Sequence, residues 1–536
     1  MKKLKLVCAA IAMACATPTW AGGLLTNTNQ HVAFNRMMSR EASIGIDGVY
    51  YNPAGVVFMG EGHHLAINWQ LAFQTRTINN DYALFTNNVN NPITPRDFKG
   101  TAFAPVIPSF QYAYNKGKWS FQASFALTGG GGKCTFDDGL GSFEKIVAET
   151  AIAACGLAGV VDQTLGNTLG QPGMEMFTSD QAFGKTGKYS FNSYMHGRQY
   201  YYGLSVGAAY KFCDNFSAFL GVRGVYALTN YYGYVENINV GNMPLYKVLD
   251  PTKENAANIE LSCDQTGVGF TPIIGVDYKT GRWNFSAKYE FKTRIRLKNK
   301  SVNQTPSIGN LPANLANQMT GILTARYQQA GLPLEQAKQQ AENTTNAVLN
   351  DPTVGATMMG LKTQFDQKLN KAIGEYEDGK KIAGDIPGYL ALGIGYSPVD
   401  AVRVNVGFHW FDDKNATSYN NRNKELKRGT LEYNAGVEVD VNKKITLSTG
   451  WQNTNYGLSD EYMDDKSFVV SSNSVAIGGV YHINKKMDLN VAYFHTFYQH
   501  KKTTETVQLT ADISKNYSSD YTRNNNVFAV GLDINF

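Results

Sequence analysis

Charged side chains recur at every second position of one short segment near the middle of the chain. They are Lys288, Glu290, Lys292, Arg294 and Arg296, and apolar residues such as Phe285, Ala287, Tyr289, Phe291 and Ile295 lie between or beside them. In a β-strand this spacing sends the charged side chains to one face and the apolar ones to the other. Cations at the end of an apolar tunnel are what a ligand with a carboxylate and an apolar tail needs.

Two more basic residues, Arg223 and Arg403, fall on the same inner face of other predicted strands. We expect Arg223, Arg294 and Arg296 to bind a ligand carboxylate. The alternative is that each inward cation pairs with a carboxylate of the wall. Candidate acids of the wall are Glu432, Glu438 and Asp440.

Motifs that would indicate an enzyme are missing from the sequence. It has no HExxH pattern, its GxSxG match at Gly203 to Gly207 falls inside a predicted strand and not at a strand-to-helix elbow, and the four glycines Gly129, Gly130, Gly131 and Gly132 lack the Lys-Ser/Thr of a phosphate loop. His409 is predicted to face inward, where a polar wall residue is its ordinary role. We therefore predict no enzyme activity, no cofactor and no metal.

The composition is that of a membrane β-barrel. The chain has 31 Tyr, 28 Phe and 52 Gly, and only 17% of its residues are charged. Its mean hydropathy is slightly negative, and no run after the N-terminus approaches the roughly 18 apolar residues of a spanning helix. Barrel strands hide their hydrophobicity in this way, because apolar and polar residues alternate along them.

Alternation predicts fourteen strands, an even number that suits a closed antiparallel barrel. In the last segment, Phe528, Val530, Leu532, Ile534 and Phe536 share one face. The predicted strands lie near 63–78, 105–115, 118–130, 196–212, 215–232, 266–279, 283–299, 387–397, 401–413, 427–442, 444–456, 472–484, 486–500 and 524–536. The terminal Phe536 is typical of the signal that the outer-membrane assembly machinery reads.

Two connections are long, at about 131–195 and about 300–386. Both contain Ala, Leu, Gln and Lys at helical spacing, as in "SFEKIVAETAIAACGLAGVVDQTLG". Long loops are usually functional or disordered. Helices in these loops would form a lid over the outer mouth of the barrel.

Residues 1–21 read as a signal peptide, with Lys2, Lys3 and Lys5 before a short apolar stretch. A lipoprotein-type site before Cys15 is a weaker alternative. Removal of the three lysines lowers the net charge from +5 to +2, which does not indicate a nucleic-acid partner. Four cysteines then remain, and the possible disulfides are Cys134–Cys155, which share a loop, and Cys213–Cys263.

Residues 22–60 are too few for a domain and too apolar for a disordered tail. A lumen of fourteen strands must be plugged or filled with water, so we expect this segment to fold into it as a hatch. The alternative is a periplasmic leader without function. Arg36 and Arg40 would either fasten this hatch to the wall or meet an anionic head group.

The motif Asn52-Pro53-Ala54-Gly55, preceded by "ASIGIDGVY" and followed at once by the first strand, resembles the hatch signature of the FadL family of outer-membrane long-chain fatty acid transporters. The signal peptide, the fourteen strands, the long loops and the terminal Phe extend this resemblance over nearly the whole chain. It implies that hydrophobic molecules diffuse from a groove between the loops to a deeper pocket. It also implies that hatch movement and a kink in the third strand open a lateral exit. Gly129 to Gly132 would be this kink, or the start of a loop.

The sequence thus predicts an all-β protein, a 14-stranded antiparallel transmembrane barrel with an N-terminal hatch and helical outer loops. We expect a monomer in the outer membrane of a Gram-negative bacterium, in contact with outer-membrane lipids, that takes up long-chain fatty acids or another lipophilic ligand. A general porin, or a structural or adhesive barrel, is the alternative.

Overall fold

The computed structural model describes residues 24–509 and 513–536, so the predicted signal peptide lies outside the described residues. Fourteen strands form one closed antiparallel barrel. They are β1 Gly62–Tyr82, β2 Arg96–Lys116, β3 Trp119–Phe136, β4 Tyr189–Lys211, β5 Phe216–Val240, β6 Ile259–Thr280, β7 Trp283–Glu290 with Arg296–Gln304, β8 Lys381–Ala383 with Tyr389–Val399, β9 Val402–Phe411, β10 Thr430–Asn442, β11 Ile445–Asn455, β12 Ser472–Asn484, β13 Met487–Tyr498 with Lys501–Gln508, and β14 Ser514–Asn535.

Strand β1 closes the barrel against β14, in a register that runs from His64 opposite Asn535 to Tyr82 opposite Tyr517. Short turns join the strands at one end, and long connections join them at the other. The predicted strand count is confirmed, although β1, β2, β4 and β5 extend further toward the long loops than alternation indicated.

Side chains alternate across the wall as a lipid-exposed barrel requires. On β1, Ile67 and Trp69 are half-exposed on the outer face, whereas Asn68 and Gln70 are buried in the lumen. On β6, Phe270 is 70% exposed and on β5 Leu220 is 69% exposed. Because water does not solvate such a surface favourably, the barrel spans a membrane, with its short turns on the periplasmic side.

Strand β7 changes the phase of its alternation. Glu290 is buried in the lumen, and so are Thr293 and Ile295, which are an odd number of residues further along. Residues 291–295 interrupt the strand, and Thr293 bridges to Ile386 across a matching break in β8. The even-numbered side chains that point inward before the break therefore point outward after it.

Helices fill the two longest connections, as predicted. The helix α3 Gly141–Leu169 lies in the first, and α5 Leu311–Gln329, α6 Leu334–Leu349 and α7 Pro352–Ile373 lie in the second, whereas the short α4 Tyr246–Leu249 lies between β5 and β6. By length and composition α3 could cross a membrane. It instead packs against α7 and the outer ends of β4 and β5, and the helices together cap the barrel.

The N-terminal segment from Leu24 to Gly60 lies inside the barrel. It contains α1 Val32–Met37, α2 Gly48–Tyr51 and a single 3₁₀ turn, Gly55–Phe58. Nearly all its residues from Thr26 to Val57 are buried against the wall. Phe34, Met38, Tyr50 and Tyr51 pack with inward residues of β1, β2 and β12 to β14. We call this segment the hatch.

The cysteines Cys134, Cys155, Cys213 and Cys263 are all free thiols, so neither of the two disulfides considered from the sequence forms. Cys134 lies on β3 among residues beneath the cap, whereas Cys155 lies on α3 and donates to the carbonyl oxygen of Phe183. Cys213 is exposed in a periplasmic turn, and the other three are buried.

The burial of three of the four thiols predicts which cysteine reacts first with a labelling reagent. In the folded protein a maleimide should modify Cys213 alone, because the three buried thiols are inaccessible. After unfolding without reductant, all four should react. Peptide mapping by mass spectrometry measures both states, and a disulfide-linked peptide in the unfolded sample would contradict the prediction.

Candidate functional site

The Asn52-Pro53-Ala54-Gly55 motif forms a tight turn held by the side chain of its own asparagine. Asn52 Oδ1 accepts from the backbone N–H of Gly55 at 3.1 Å, and Asn52 Nδ2 donates to Asp277 Oδ2 on β6 at 2.6 Å. A Cβ at Gly55 would lie 2.4 Å from Asn52 Nδ2 and 3.1 Å from Asp277 Oδ2. The turn therefore requires both the asparagine and the glycine.

The same turn is fastened to two more strands through its carbonyl groups. Gln122 Nε2 on β3 donates to the oxygen of Pro53, and Ser217 Oγ on β5 donates to that of Ala54, each at 2.7 Å. Val57, which follows the turn, packs with inward residues of β4, β5 and β6. The motif thus closes the periplasmic end of the lumen at β3, β5 and β6.

Two arginines fasten the middle of the hatch to the opposite wall. Arg36 pairs with Glu438 on β10, and Arg40 Nη1 lies 3.2 Å from the same carboxylate. Arg40 also binds Asp47 within the hatch, with Nε and Oδ2 2.7 Å apart. Of the two roles considered from the sequence, the structure supports the fastening role. Arg403 of β9 completes the cluster, because it pairs with Glu438 and with a second acid of β10, Asp440.

A buried histidine connects the hatch to the wall at a further point. His409 Nε2 lies 2.7 Å from Glu41 Oε1 of the hatch, and His409 Nδ1 lies 2.8 Å from Glu432 Oε2 of β10. Both ring nitrogens face carboxylates, so the imidazolium form donates a hydrogen bond to each. His409 is thus a wall residue that holds the hatch, as its ordinary role in the sequence suggested.

Arg223 faces the lumen, as its alternation predicted, and belongs to a cluster of two cations and one acid. Its guanidinium binds Glu290 through two hydrogen bonds, of 2.5 and 3.0 Å. Lys288 Nζ donates to Glu290 at 2.9 Å and to the backbone oxygen of Tyr50 at 2.6 Å. The Arg223 guanidinium carbon and Lys288 Nζ lie 5.5 and 4.0 Å from the centre of the Tyr50 ring. This lumen cluster carries one net positive charge beside the apolar core of the hatch.

The expectation that Arg294 and Arg296 face the lumen is wrong. Both are exposed on the outer face of the barrel, and the side chain of Arg296 is 54% exposed although it pairs with Asp385. The break in β7 shifts the alternation by one residue, so these arginines lie on the opposite face from Lys288 and Glu290.

The four glycines lie inside β3 rather than in a loop. Gly130, Gly131 and Gly132 have backbone φ values of 66°, 138° and 145°. Residues other than glycine adopt such values only with strain. Strands β2 and β3 pair at Thr101–Thr135 and again at Phe110–Phe125, and no ladder pair joins them between. We call this unpaired stretch, residues 102–109 and 126–134, the β2–β3 window.

The β2 side of the window contains Pro105 and Pro108. Proline has no N–H to donate to a ladder, so both prolines suit an unpaired edge. The first residues of the hatch lie against the β3 side. There Asn27 N–H donates to the oxygen of Thr128 at 2.9 Å, and Gly130 N–H donates to that of Leu25 at 3.3 Å.

The start of the hatch also contacts the outer end of the barrel. Leu24 N–H donates to Asp413 Oδ1, and Thr430 N–H donates to Asp413 Oδ2 at 2.8 Å. Burial raises the pKa of Asp413, which follows β9 outside the membrane, to about 6. Residues 24–27 of the hatch thus contact both Asp413, at the outer end of the barrel, and the β2–β3 window.

An apolar chamber lies in the cap between α3, α4, α5 and α7. About 70 Å³ of it is open to the centre of a water-sized sphere. Its wall is almost wholly apolar and includes Leu157, Val161, Leu245, Leu315 and Phe365.

Charged groups lie at one end of the chamber. Lys368 Nζ is 2.5 Å from Glu149 Oε2, and Lys145 Nζ is 3.1 Å from Glu149 Oε1. Tyr82, at the end of β1, donates to the same carboxylate. We call this space, with its charged end, the cap chamber. Lys145 Nζ also lies 3.1 Å from Glu505 Oε1, so two lysines and two acids meet there.

A second basic pair lies in the lumen, at positions that were not predicted from the sequence. Arg76 of β1 and Arg523 of β14 are register partners, and both donate to Gln74 Oε1, at 3.1 and 2.7 Å. Arg76 shares the inward face of Asn68, Gln70 and Gln74, so alternation alone could have found it. Its proximity to Arg523 required the barrel closure.

The turn yields a prediction about hatch stability. Asn52→Ala removes the acceptor for Gly55 N–H and leaves buried Asp277 without one donor, which should lower the free energy of unfolding by about 1–3 kcal/mol. Thermal unfolding and single-channel conductance measure the effect, and conductance should rise as the turn loosens. Asn79→Ala is the matched control, because Asn79 makes a similar Asn–Asp hydrogen bond with Asp97 in an exposed position. Equal effects of the two substitutions would contradict the anchoring role.

No family model matches the sequence, and no curated protein matches it either. Solved structures do match the fold. A FadL homologue of Pseudomonas aeruginosa has 13% identity and a TM-score of 0.58, over 96% of this chain and 100% of that chain. The deltaS2S3 mutant of TodX, a monoaromatic hydrocarbon channel, has 12% identity and a TM-score of 0.50, over 94% and 99%. With its closed 14-stranded wall and filled lumen, the chain has the FadL-type fold, a multi-pass barrel of the Gram-negative outer membrane.

Proposed function

We propose that the protein is a passive outer-membrane channel for hydrophobic compounds, and that long-chain fatty acids are its substrate class. The cap chamber carries the proposal. Its almost wholly apolar lining would bury part of an apolar chain. The cations at its end would bind a carboxylate, because charge-assisted hydrogen bonds are strong where water is scarce.

Further cations lie deeper in the barrel. Arg76 and Arg523 lie in the lumen toward the outer end, and Arg223 and Lys288 lie below them against Tyr50. A fatty acid that moved from the cap toward the periplasm would meet these groups in turn. We therefore keep Arg223 as a carboxylate partner, together with Lys288, and expect ligand binding to weaken their contact with Glu290.

The hatch would be the gate of this path. Asn52, Pro53, Ala54 and Gly55 close the periplasmic end, and the start of the hatch covers the β2–β3 window from inside. Movement of residues 24–27 would break two backbone hydrogen bonds to β3, the bond from Leu24 to Asp413 and side-chain bonds to Asn27 O, but it would leave the ion pairs of Arg36 and Arg40 in place. We therefore propose that substrate leaves sideways through the window, at the kink formed by Gly129, Gly130, Gly131 and Gly132.

Two other functions receive less support. A general porin needs a lumen open to water, whereas here buried hatch residues fill it from Thr26 to Val57. A channel for uncharged aromatic hydrocarbons would fit the apolar lining, and one structural neighbour is a monoaromatic hydrocarbon channel. An uncharged ligand would form no ion pair with Lys368 or Lys145, so these cations favour a ligand with a carboxylate.

Replacing Lys368 distinguishes these substrates. Lys368→Gln should weaken oleate binding by about two- to fivefold, because a partly exposed ion pair contributes about 0.2–1 kcal/mol. Toluene binding should not change. Calorimetry on the purified protein and uptake of labelled oleate measure the effect. Lys362→Gln, on the same helix but in an exposed pair with Asp366, is the control.

Three outcomes would contradict parts of this proposal. Equal loss of oleate and toluene binding would mean that Lys368 acts on the shape of the chamber. Unchanged oleate binding would mean that the cap chamber does not bind the head group. Oleate uptake that stays the same in cells without the protein would rule out the transport function itself.

The proposed exit through the β2–β3 window predicts that uptake and binding of oleate can be separated. Gly131→Ala with Gly132→Ala should straighten β3, because alanine disfavours φ values near 140°. Uptake of oleate should fall several-fold, while oleate binding to the cap stays unchanged. Gly224→Ala on β5 is the control, because a Cβ there meets only an ordinary contact 3.7 Å away. Normal uptake by the double variant would exclude this exit.

A further inference from the structure

A row of exposed basic side chains runs up the outside of the barrel on β7 and β8. The break in β7 turns this part of the strand so that its even-numbered side chains face outward. Lys381 of β8 joins the row as the register partner of Lys298. The members of this basic ladder are Arg294, Arg296, Lys298, Lys300 and Lys381, and all are exposed.

The basic ladder begins where the apolar belt of the barrel ends. On the adjacent strand β6, Phe270 and Val268 are 70% and 63% exposed on the outer face, and Thr266 and Asp264 follow them toward the loops. Lys298 is the register partner of Thr266, and Lys300 is that of Asp264. The cations therefore lie at the outer edge of the hydrocarbon region, at the height of lipid head groups.

Protein acids compensate this charge only in part. Arg296 pairs with Asp385 at 2.9 Å, and Lys300 has Asp264 as its cross-strand neighbour. Within residues 24–509 and 513–536, Arg294, Lys298 and Lys381 make no ion pair with an acid of the protein. An excess of positive charge thus faces outward at this edge.

Lys298 and Lys381 are also directly opposite each other in the ladder between β7 and β8. Like charges at such positions destabilise a sheet, since their Cβ atoms are only about 5 Å apart. An anion bound between the two ammonium groups would remove this repulsion. This position therefore suits a ligand that brings its own negative charge.

The spacing of the ladder indicates more than one anionic group. Alternate residues of a strand are about 6.6 Å apart, so the row from Arg294 to Lys300 extends about 20 Å. A head group with one phosphate would contact one or two of these side chains. A phosphorylated sugar head group, with phosphates on separate positions, could contact most of them.

We propose that the basic ladder binds the phosphates of a phosphorylated glycolipid in the outer leaflet, with the acyl chains of the lipid against Phe270 and Val268. Charge complementarity and the position above the apolar belt select this lipid. The ladder faces away from the lumen, so the site is independent of the transported compound and of the transport proposal.

The test compares lipid binding by the intact protein and two triple variants. Arg294→Gln, Lys298→Gln and Lys381→Gln together remove the three uncompensated charges. Lys443→Gln, Lys444→Gln and Lys485→Gln, in exposed periplasmic turns, form the charge-matched control. Native mass spectrometry in detergent measures binding of a diphosphorylated lipid A disaccharide and of its dephosphorylated form with the same acyl chains.

The ladder variant should bind the diphosphorylated lipid about tenfold or more weakly than the unmodified protein. The control should stay within about twofold, and the dephosphorylated lipid should bind weakly to all three proteins. Circular dichroism verifies that the variants are folded, and oleate uptake by the ladder variant should be normal.

Other results would overturn the proposal. Unchanged binding by the ladder variant, an equal loss in the control, or no preference of the unmodified protein for the phosphorylated lipid would each exclude the site. Displacement of the lipid by inorganic phosphate at the concentration of the lipid itself would indicate a site for free anions instead. Specific capture of a second protein by the ladder, without lipid binding, would indicate a protein interface.

Discussion

The pairing of buried charges between the hatch and the wall determines how the lumen is filled. Arg36 and Arg40 enter the barrel as cations, and Glu438 of β10 binds both. Glu41 enters as an acid, and His409 of β9 lies between it and Glu432. An unpaired charge in such a place is strongly unfavourable, so each pair fixes the hatch in one position. The turn at Asn52 then joins this plug to β3, β5 and β6.

The first residues of the hatch are bound to the wall mainly through backbone groups. Leu25 and Asn27 contact β3 through two backbone hydrogen bonds beside the kinked glycines, and Leu24 contacts Asp413 beyond the end of β9. The strongly anchored part of the hatch begins at Asn29 and Gln30, which make four hydrogen bonds to β1 and β2, and it continues through His31 and Arg36. In the proposed function, a gate made from residues 24–27 would leave the ion pairs of Arg36 and Arg40 in place.

Different parts of the candidate site were predictable to different extents. The strand count and the helices of the long loops follow from local patterns, and the structure contains them. The structure also places residues 24–60 in the lumen and buries Arg223, whose roles as gate and carboxylate partner stay predictions. The outward position of Arg294 and Arg296 could not be predicted, because it depends on a break that pairs Thr293 with Ile386, almost a hundred residues away. The β2–β3 window had a local signal in Pro105 and Pro108 opposite the glycines, but only the register showed that they face each other.

The sequence by itself determined which residues form the strands of the barrel wall and where the turn at the end of the hatch lies. Alternation has a period of two residues, so it identifies a strand and its two faces from the local sequence alone. The turn from Asn52 to Gly55 is also local, because the Asn52 side chain accepts the hydrogen bond that closes it. Only the tertiary structure decided which charged groups lie together. Arg223 meets Glu290, Arg40 meets Glu438 and Arg76 meets Arg523 from positions 67 to several hundred residues apart, and one displaced residue in β7 moves a whole row of cations from the lumen to the membrane face.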